Sequence, residues 1–342
     1  MPNSKLKIND VARAANVSVS TVSRILNNRP DVADKTRARV LRVIDELGYS
    51  PNTQAQSLAA GQARTIALLF PMPHARTTQL ELDFFVSASH AASSQGYNFN
   101  LLVNDITPES LLNLYSKAQV AGVILMQIAL SDWRVDLLRK NNLPFVMIGR
   151  CADNTGLSYV DYDFEGGVRA AFAHLQAQGH QQIGFLTRSQ ASYERGLGSA
   201  VRLRDGFFAV CDALQLAPIY REAETQMDAV YRATDDMLAA QPGLSAIVTV
   251  NGMTAPAIVR AARARDKQVP ANLSVVAVGT NSIAEIIEPT LTTVSFPSAQ
   301  MGTDAANMLI QHINSKDHTA EQILLPAELV ERESSAPYTG NQ

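Results

Sequence analysis

The feature that most constrains this chain is a series of short apolar runs that begins at residue 65. Most runs have a strand-like length, and most neighbours start roughly 20 to 40 residues apart, with helix-forming sequence between them. Such continuous apolar runs are typical of strands that are buried on both faces of a parallel sheet. They occupy residues 65–70, 98–103, 122–126, 145–148, 159–160, 182–186, 246–250 and 275–278.

The runs fall into two groups, which predicts an α/β fold with two doubly wound lobes. A chain of 342 residues has room for this, since roughly 150 residues is a common domain size. Ligands bind beyond the carboxyl ends of the strands in such sheets. The sequence therefore predicts a ligand cleft between the two lobes.

The residues before the first run show the periodicity of short helices instead. Asn9 is a good N-cap for a first helix, and Ser18 can cap a second one. Between them, Asn16 tolerates the positive φ that a sharp turn needs. The small side chains of Ala12 and Ala15 allow the two helices to approach closely.

A third helix is predicted over residues 34–47, with Gly48 as the residue that ends it. Its inward positions are Val40, Leu41, Ile44 and Leu47. The second helix begins with short hydroxyl side chains, which suit phosphate contacts, and Arg24 can read guanine with two hydrogen bonds. This pattern predicts a helix-turn-helix. The alternative is a plain three-helix bundle with ordinary surface serines and threonines.

Charge is unevenly distributed along the chain. The formal net charge is −3, but residues 1–64 carry ten Lys and Arg against five acidic residues, or +5. The remainder carries 19 basic against 27 acidic residues, or −8. Because phosphates attract a basic head and repel an acidic body, this division favours nucleic-acid binding. From charge alone, the alternative is a solvated charged surface.

The head also carries a series of motifs at characteristic spacing. They are Asp10-Val11-Ala12, Ala15-Asn16-Val17-Ser18, Thr21-Val22-Ser23-Arg24, Asn27, Thr36-Arg37, Val40, Glu46-Leu47-Gly48-Tyr49, Pro51-Asn52, Ala55 and Leu58. Together these motifs resemble the lactose/galactose repressor family of bacterial transcriptional regulators. The resemblance implies three base-reading positions, which are Val19, Ser20 and Arg24. It implies five phosphate-contacting positions, which are Ser18, Thr21, Ser23, Asn27 and Thr36.

Residues 51–62 predict a helix that forms only when it docks against a partner. The nine residues between Pro51 and Gly61 favour a helix, but an isolated helix of that length is marginal in water. The resemblance implies that this hinge helix orders on the operator beside its dimer mate. It places Leu58 as a wedge that enters the minor groove and kinks the DNA. It also places Asn52, Ala55 and Gln56 against the DNA. The alternative is a flexible linker with an incidental leucine.

Further motifs of the same family occur in the body. They include Gly149-Arg150, Gly166-Gly167, Gly179-His180 and Leu291-Thr292-Thr293-Val294. The resemblance spans about residues 8–333 and implies an effector domain of the periplasmic-binding-protein type.

This comparison predicts three segments in the chain. They are a helix-turn-helix DNA-binding domain over residues 1–50, a hinge helix and linker over 51–62, and an effector-binding and dimerisation domain over 63–342. Lobe one is expected at about 63–161 and 292–324, and lobe two at about 162–291 and 325–335.

The expected cleft residues depart from the family pattern. The acid that family members usually carry after Asn251 is absent, and Asn281 replaces another. Where the family usually has an arginine, the chain has Leu203, flanked by Arg202 and Arg204. Carboxylates make strong charge-assisted bonds to ligand hydroxyls. Lost acids and retained arginines therefore predict an effector with an anionic group, such as a sugar acid or a sugar phosphate.

Three further side chains are candidates for the cleft. Phe84 can stack on the apolar face of a sugar or belong to the core, and Asp83 can bind hydroxyls or cap a helix. Arg150 follows a strand end, which favours a ligand contact over a surface salt bridge. The candidate effector-binding residues are therefore Asp83, Phe84, Arg150, Arg202, Arg204, Asn251 and Asn281.

No catalytic, cofactor or metal motif stands out. The stretch that begins at Gly196 starts like a dinucleotide fingerprint but lacks its third glycine. The six histidines are scattered, and two cysteines are too few for a disulfide framework or a four-thiolate zinc site. We therefore expect neither an enzyme nor a metalloprotein, and no cofactor.

The ends of the chain add expectations about location and assembly. The start lacks the apolar core of a signal peptide, and no apolar run reaches the roughly 18 residues of a membrane span. This favours a cytoplasmic protein with no membrane partner. The tail from residue 331 lacks the leucine heptads of family tetramers, which favours a homodimer.

The function that fits these features is a sequence-specific DNA-binding transcriptional regulator, in the first place a repressor. It binds double-stranded operator DNA and is controlled by a small carbohydrate-like effector in the interlobe cleft. A regulator that uses a corepressor, or an activator, is the main alternative. A solute-binding protein or a sugar-acting enzyme has less support, because the chain has a DNA-binding head and no catalytic constellation.

Overall fold

The computed structural model describes residues 6, 8–26, 31–49, 63–71, 79–250, 252–279, 284–315 and 319–340. The chain divides into two compact units, Met1–Ala63 and Arg64–Gln342. Among the helices that are described, none combines the length and the apolarity that a bilayer span requires.

The first unit contains three helices, which are α1 (Ile8–Ala14), α2 (Val19–Leu26) and α3 (Asp34–Leu47). Asn16 has a φ of 51°, as predicted for the turn between α1 and α2. The Thr21 N–H donates to Ser18 Oγ at 3.1 Å, which confirms Ser18 as the cap of α2. Gly48 ends α3 in the left-handed conformation, also as predicted. The N-cap prediction for Asn9 is wrong, because α1 already begins at Ile8.

The core of the first unit is small and apolar. Its buried members are Val11, Ala12, Ala15, Val22, Ile25, Val40 and Tyr49. Ala12 and Ala15 are almost fully buried, so close contact of α1 with its neighbours requires small side chains there. Leu41 is 48% exposed, so its predicted inward position is wrong. The adjacent Val40 occupies the buried face of α3 instead.

The second unit contains twelve strands and nine α-helices within its described residues, together with one short 3₁₀ helix (Gly252–Thr254). The strands are β1 (Thr65–Leu69), β2 (Asn98–Leu102), β3 (Gly122–Leu125), β4 (Phe145–Ile148), β5 (Tyr159–Tyr162), β6 (Ile183–Thr187), β7 (Ile219–Glu222), β8 (Ala246–Thr249), β9 (Ser274–Val278), β10 (Thr292–Ser295), β11 (Gln322–Leu325) and β12 (Glu328–Val330). The helices are α4 (Gln79–Ser94), α5 (Pro108–Ser116), α6 (Trp133–Lys140), α7 (Phe164–Ala177), α8 (Gln190–Glu194), α9 (Gly198–Ala213), α10 (Met227–Ala240), α11 (Ala255–Ala264) and α12 (Ser298–Asn314).

These strands form two six-stranded sheets, each the centre of one lobe. The order is β11-β5-β4-β3-β1-β2 in the first lobe and β12-β10-β9-β8-β6-β7 in the second. All pairings are parallel except that of β12 with β10. The predicted α/β fold with two doubly wound lobes is confirmed. Residues 219–222 form an edge strand that the sequence did not reveal, because an exposed edge needs no apolar run.

The chain crosses between the lobes at slightly different positions from those predicted. Tyr162 belongs to β5 of the first sheet, one residue beyond the approximate boundary predicted for lobe one. Residues 292–295 belong to the second sheet, so their assignment to lobe one is wrong. The physical reason is pairing: Thr292 lies opposite Val276 of β9, and this partner is distant in sequence.

One close helix contact stabilises the first lobe near a crossover. Helix α12, which follows β10, packs along α4. A Cβ at Gly302 of α12 would lie 2.6 Å from the Phe84 carbonyl oxygen, which is too close for any side chain. Glycine at this position therefore allows the backbones of α4 and α12 to meet.

Candidate functional site

The exposed face of α2 is the first candidate site, because its opposite face is committed to the core. Val22 and Ile25 are buried, whereas Val19, Ser20 and Arg24 are exposed. The helical period that buries the first pair therefore turns the three predicted base-reading side chains outward. This places an arginine and short side chains on one accessible surface, as contacts in a DNA groove require.

The hydroxyl groups at the start of α2 form a small network. Ser18 Oγ lies 2.7 Å from Ser20 Oγ and 2.8 Å from Thr21 Oγ1. All three groups lie near the helix N-terminus, where the helix dipole favours an anion. Ser23 is partly buried in α2, and Thr36 lies in the first turn of α3. This geometry suits phosphate contacts.

Arg24 has one ionic neighbour within the first unit. Its Nη1 lies 3.4 Å from Asp31 Oδ2, and both side chains are more than half exposed. An exposed pair of this kind stabilises little. Arg24 can therefore exchange Asp31 for a base edge at small cost.

Several predicted site residues lie outside the described residues. They are Asn27, Asn52, Ala55, Gln56 and Leu58 of the predicted DNA-binding set, and Asn251 and Asn281 of the predicted effector-binding set.

The second candidate site is the cleft between the lobes. In each sheet the strand order reverses beside the first strand, between β1 and β3 and between β6 and β8. Doubly wound sheets bind ligands at such switch points, beyond the carboxyl ends of the strands. Within the described ranges, no three His, Cys, Asp or Glu side chains cluster as metal ligands would.

The segment between β6 and α9 links the two lobes beside this cleft. We call residues 189–198 the strap. The Leu130 N–H donates to the Gly196 carbonyl oxygen at 2.8 Å, and the Gly198 N–H donates to the Ile128 carbonyl oxygen at 2.9 Å. Because Leu130 and Ile128 follow β3 of the first lobe, the strap joins the carboxyl ends of both sheets.

Arg150 and Arg202 form an interlobe network with two acids. Arg150 Nε donates to Asp161 Oδ2 at 3.0 Å, and its Nη2 donates to Glu165 Oε2 at 3.4 Å. Arg202 of α9 donates to the carbonyl oxygens of Arg150 and Cys151, at 3.1 and 2.9 Å. Both guanidinium groups thus have partners within the protein. Arg150 thus pairs with a buried acid, Asp161, and its role as a ligand contact stays a prediction.

Burial governs the charges of this network. Burial raises the pKa of Asp161 to about 6, even though the Tyr162 N–H and the nearby arginines favour the carboxylate. Burial also lowers the pKa of Arg202, and the positive charge of Arg150 adds to that effect. Desolvation is therefore the dominant contribution, and it makes the network sensitive to the charge of Asp161.

Asp83 and Phe84 lie on α4 but make protein contacts. Asp83 is the fifth residue of the described helix, and it accepts from Gln79 Nε2 at 2.9 Å and from Ser298 Oγ at 3.2 Å. It does not cap the helix. Phe84 is 3% exposed, and its ring meets Phe296 edge to face at 6.0 Å between centroids. This is the core position that the sequence left open.

Arg204 lies beside the strap. Its guanidinium lies 4.8 Å from the centroid of the Tyr193 ring, and its Nε lies 3.8 Å from Asp205 Oδ1. Leu203, where the family usually has arginine, is buried in the core. Among the predicted effector-binding arginines that the structure describes, none has a buried guanidinium nitrogen without a hydrogen-bond partner.

The sequence did not single out Arg188. It follows β6 directly, at the switch point of the second sheet. Its Nε is buried and has no hydrogen-bond partner among the described residues. The sequence does contain a signal for this residue, because a charged side chain is rarely placed directly after a fully buried apolar strand.

Two family models match the chain. A model for bacterial regulatory proteins of the lacI family matches residues 7–52, and a model for a periplasmic binding protein-like domain matches residues 172–335. The HTH-type transcriptional repressor PurR of Mannheimia succiniciproducens is 30% identical over 96% of this chain and 98% of its own length.

Solved structures resemble the whole chain. The lac repressor dimer bound to operator and the anti-inducer ONPF has a TM-score of 0.85 at 26% identity, with 97% of this chain and 99% of that chain covered. A complex of the transcriptional regulator CelR with cellobiose has a TM-score of 0.72 at 26% identity and covers 96% of this chain and 99% of that chain.

Proposed function

Because the chain belongs to the lacI family of bacterial regulatory proteins, we propose that it acts as a homodimeric repressor under the control of a small effector. It is a DNA-binding transcriptional regulator and not an enzyme. Each protomer contributes one helix-turn-helix to one half-site of a pseudo-palindromic operator. Since the operator is part of the bacterial chromosome, we place the regulator in the cytoplasm.

The observation that carries the proposal is the exposed face of α2. Val19, Ser20 and Arg24 point outward together, while the Ser18 cap holds the first turn in place. Arg24 supplies the side chain best suited to guanine, and the hydroxyls at the helix start bind the flanking phosphates. Asn27 and Thr36 belong to the same phosphate-binding set in this proposal.

Exposed apolar side chains on α4 support a dimer. Leu82 is 44% exposed and Val86 is 52% exposed, and their spacing of four residues places them on one face of the helix. On the second lobe, Ile286 is 79% exposed. Contact between two copies would remove this apolar surface from water. The solved lac repressor relative is a dimer.

The cleft is the proposed effector site. Effector binding there is coupled to DNA binding by movement of the lobes. An effector that prefers one arrangement of the lobes changes the distance between the two hinges, residues 51–62, of the dimer. A coupling of about 1–3 kcal/mol gives roughly 5- to 150-fold control of operator affinity. The solved CelR relative holds a sugar, cellobiose, and we propose a carbohydrate-like effector here. An inducer or a corepressor would use the same lobes.

The hinge completes the proposed DNA-binding surface. Asn52, Ala55 and Gln56 contact the DNA, and Leu58 enters the minor groove beside the same residue of the dimer mate. Inserting an apolar side chain between base steps kinks the duplex and increases the protein surface in contact with it.

The test begins with selection of operators from randomised DNA by the full chain. We expect enrichment of a pseudo-palindromic site. Arg24→Ala should then lose discrimination of about 1–3 kcal/mol at one base pair of each half-site, as measured by mobility shift. Arg13→Ala is the matched control, since this arginine of α1 is also exposed. No enriched site, or unchanged discrimination with Arg24→Ala, would contradict the proposal.

A further inference from the structure

Arg188 occupies the position in the second lobe where a doubly wound sheet binds its ligands. It is the first residue after β6, and the strand order reverses between β6 and β8. The strap begins at the next residue and joins the first lobe through the Gly196 and Gly198 backbone. Arg188 therefore lies at the base of a segment that bridges the two lobes.

The hydrogen bonding of Arg188 differs from that of the other arginines in this region. The guanidinium of Arg150 donates to Asp161, and that of Arg202 donates to two carbonyl oxygens. Arg188 Nε is buried, yet no described residue accepts a hydrogen bond from it. Buried polar groups are nearly always satisfied in folded proteins, so an unsatisfied guanidinium nitrogen at the switch point of a doubly wound sheet indicates a missing partner.

The surroundings of Arg188 exclude water more than they neutralise its charge. Burial lowers the pKa of Arg188, whereas Tyr193 of the strap and Glu81 of α4 partly offset this effect. The Tyr193 hydroxyl is held 2.7 Å from Thr187 Oγ1. Glu81 belongs to the first lobe, so groups from both lobes act on this guanidinium. A planar guanidinium with few water contacts binds carboxylate or phosphate oxygens strongly.

We propose that Arg188 binds the anionic group of the effector, a carboxylate or a phosphate, at the switch point of the second lobe. This inference rests on the proposed effector site in the cleft. It moves the anion contact away from Arg150 and Arg202, whose donors serve the interlobe network. It also gives the strap a role, since a closed strap shields the ion pair from water.

The experiment uses the full chain and a small panel of probes. Glucuronate, glucose 6-phosphate, inorganic phosphate and neutral glucose are compared by thermal shift and calorimetry at constant ionic strength. We expect at least one anionic probe to bind the wild type, and glucose to bind at least 10-fold more weakly. The glucuronate and glucose 6-phosphate measurements separate a carboxylate from a phosphate ligand.

Two substitutions to methionine, each of which removes one positive charge, distinguish a specific contact of Arg188 with the anion from a general electrostatic effect. Arg188→Met should weaken binding of the anionic probe at least 10-fold, and Arg188→Lys should retain part of it. Arg263→Met is the matched control, because this arginine in the last turn of α11 is exposed and should leave probe binding unchanged. Without a probe, Arg188→Met should melt at the same temperature as the wild type or a few degrees higher, since it removes a guanidinium whose buried Nε has no described hydrogen-bond partner.

Several results would overturn the inference. They are binding of glucose alone, absence of any response to the anionic probes, unchanged binding in Arg188→Met, or a probe-free melting temperature lowered by several degrees in that variant. Mobility shift with the selected operator distinguishes failure of the proposed effector control from failure of the proposed role of Arg188. Release of the operator by a neutral sugar would support effector control while rejecting the role of Arg188. An anion that binds through Arg188 without changing operator affinity would support the role of Arg188 while rejecting effector control.

Discussion

Asp161→Asn is expected to change how the stability of this protein depends on pH. The Asp161 side chain is 2% exposed, and burial raises its pKa to about 6 although Arg150 donates to it at 3.0 Å. In an unfolded chain the pKa of aspartate is about 3.9. Between these values the native state holds the proton more tightly, so stability falls as pH rises from about 4 to about 6.

The size of the effect follows from the two pKa values. A difference of about two pKa units corresponds to about 3 kcal/mol in total. About 2 kcal/mol of this change falls between pH 4.5 and pH 7.5. At roughly 2 °C per kcal/mol, the wild type should lose about 4 °C relative to Asp161→Asn over that range. Asparagine has nearly the same shape but cannot titrate.

The assay is calorimetric melting of both proteins from pH 4.5 to 7.5 at constant ionic strength. Asp153→Asn is the matched control. The backbone N–H of Thr155 lowers the pKa of the exposed Asp153 below its ordinary value, so this carboxyl titrates below the range of the assay and its replacement should leave the pH course parallel to that of the wild type. Parallel pH courses for wild type and Asp161→Asn would refute the reasoning. They would mean that Arg150 and Arg202 fully offset the desolvation of the Asp161 carboxylate.

Three further substitutions test other parts of the molecule. Leu58→Ala should weaken operator binding in a mobility shift and leave effector binding unchanged; equal operator affinity would contradict the wedge. Ser18→Ala removes the α2 cap and should destabilise the helix by about 1 kcal/mol, seen as faster hydrogen exchange at the Thr21 amide. Val86→Glu should convert the dimer to a monomer in sedimentation equilibrium, whereas Leu324→Glu, on β11 at the opposite edge of the first sheet from β2, should not; a persistent dimer would place the interface elsewhere.

Much of the first unit was predictable because its signals are local. The positive φ of Asn16, the Ser18 cap and the left-handed Gly48 each depend on residues within a turn of the chain. Local signals still do not determine, to within one residue, where a helix begins or which side chain is buried. Asn9 lies inside α1, and Leu41 faces outward, because packing of the whole unit decides which turn begins a helix and which side chain is buried.

In the second unit, runs of buried residues predicted the central strands but not their partners. Strand β10 pairs with β9 in the second sheet, although the helix that follows it packs in the first lobe. The exposed edge strand β7 had no apolar run to reveal it. Sequence periodicity reports burial, whereas strand order depends on contacts between distant segments.

The sequence alone determined the family, the α/β fold class and the DNA-binding head, because periodicity, capping and motif spacing are properties of neighbouring residues. Only the tertiary structure decided which arginines of the cleft have partners. Arg150 meets Asp161 11 residues away, and Arg202 meets the Arg150 carbonyl oxygen 52 residues away, while Arg188 Nε has no described acceptor. Hydrogen-bond satisfaction depends on groups that folding brings together, so the charge available to an effector could not be predicted from the order of residues.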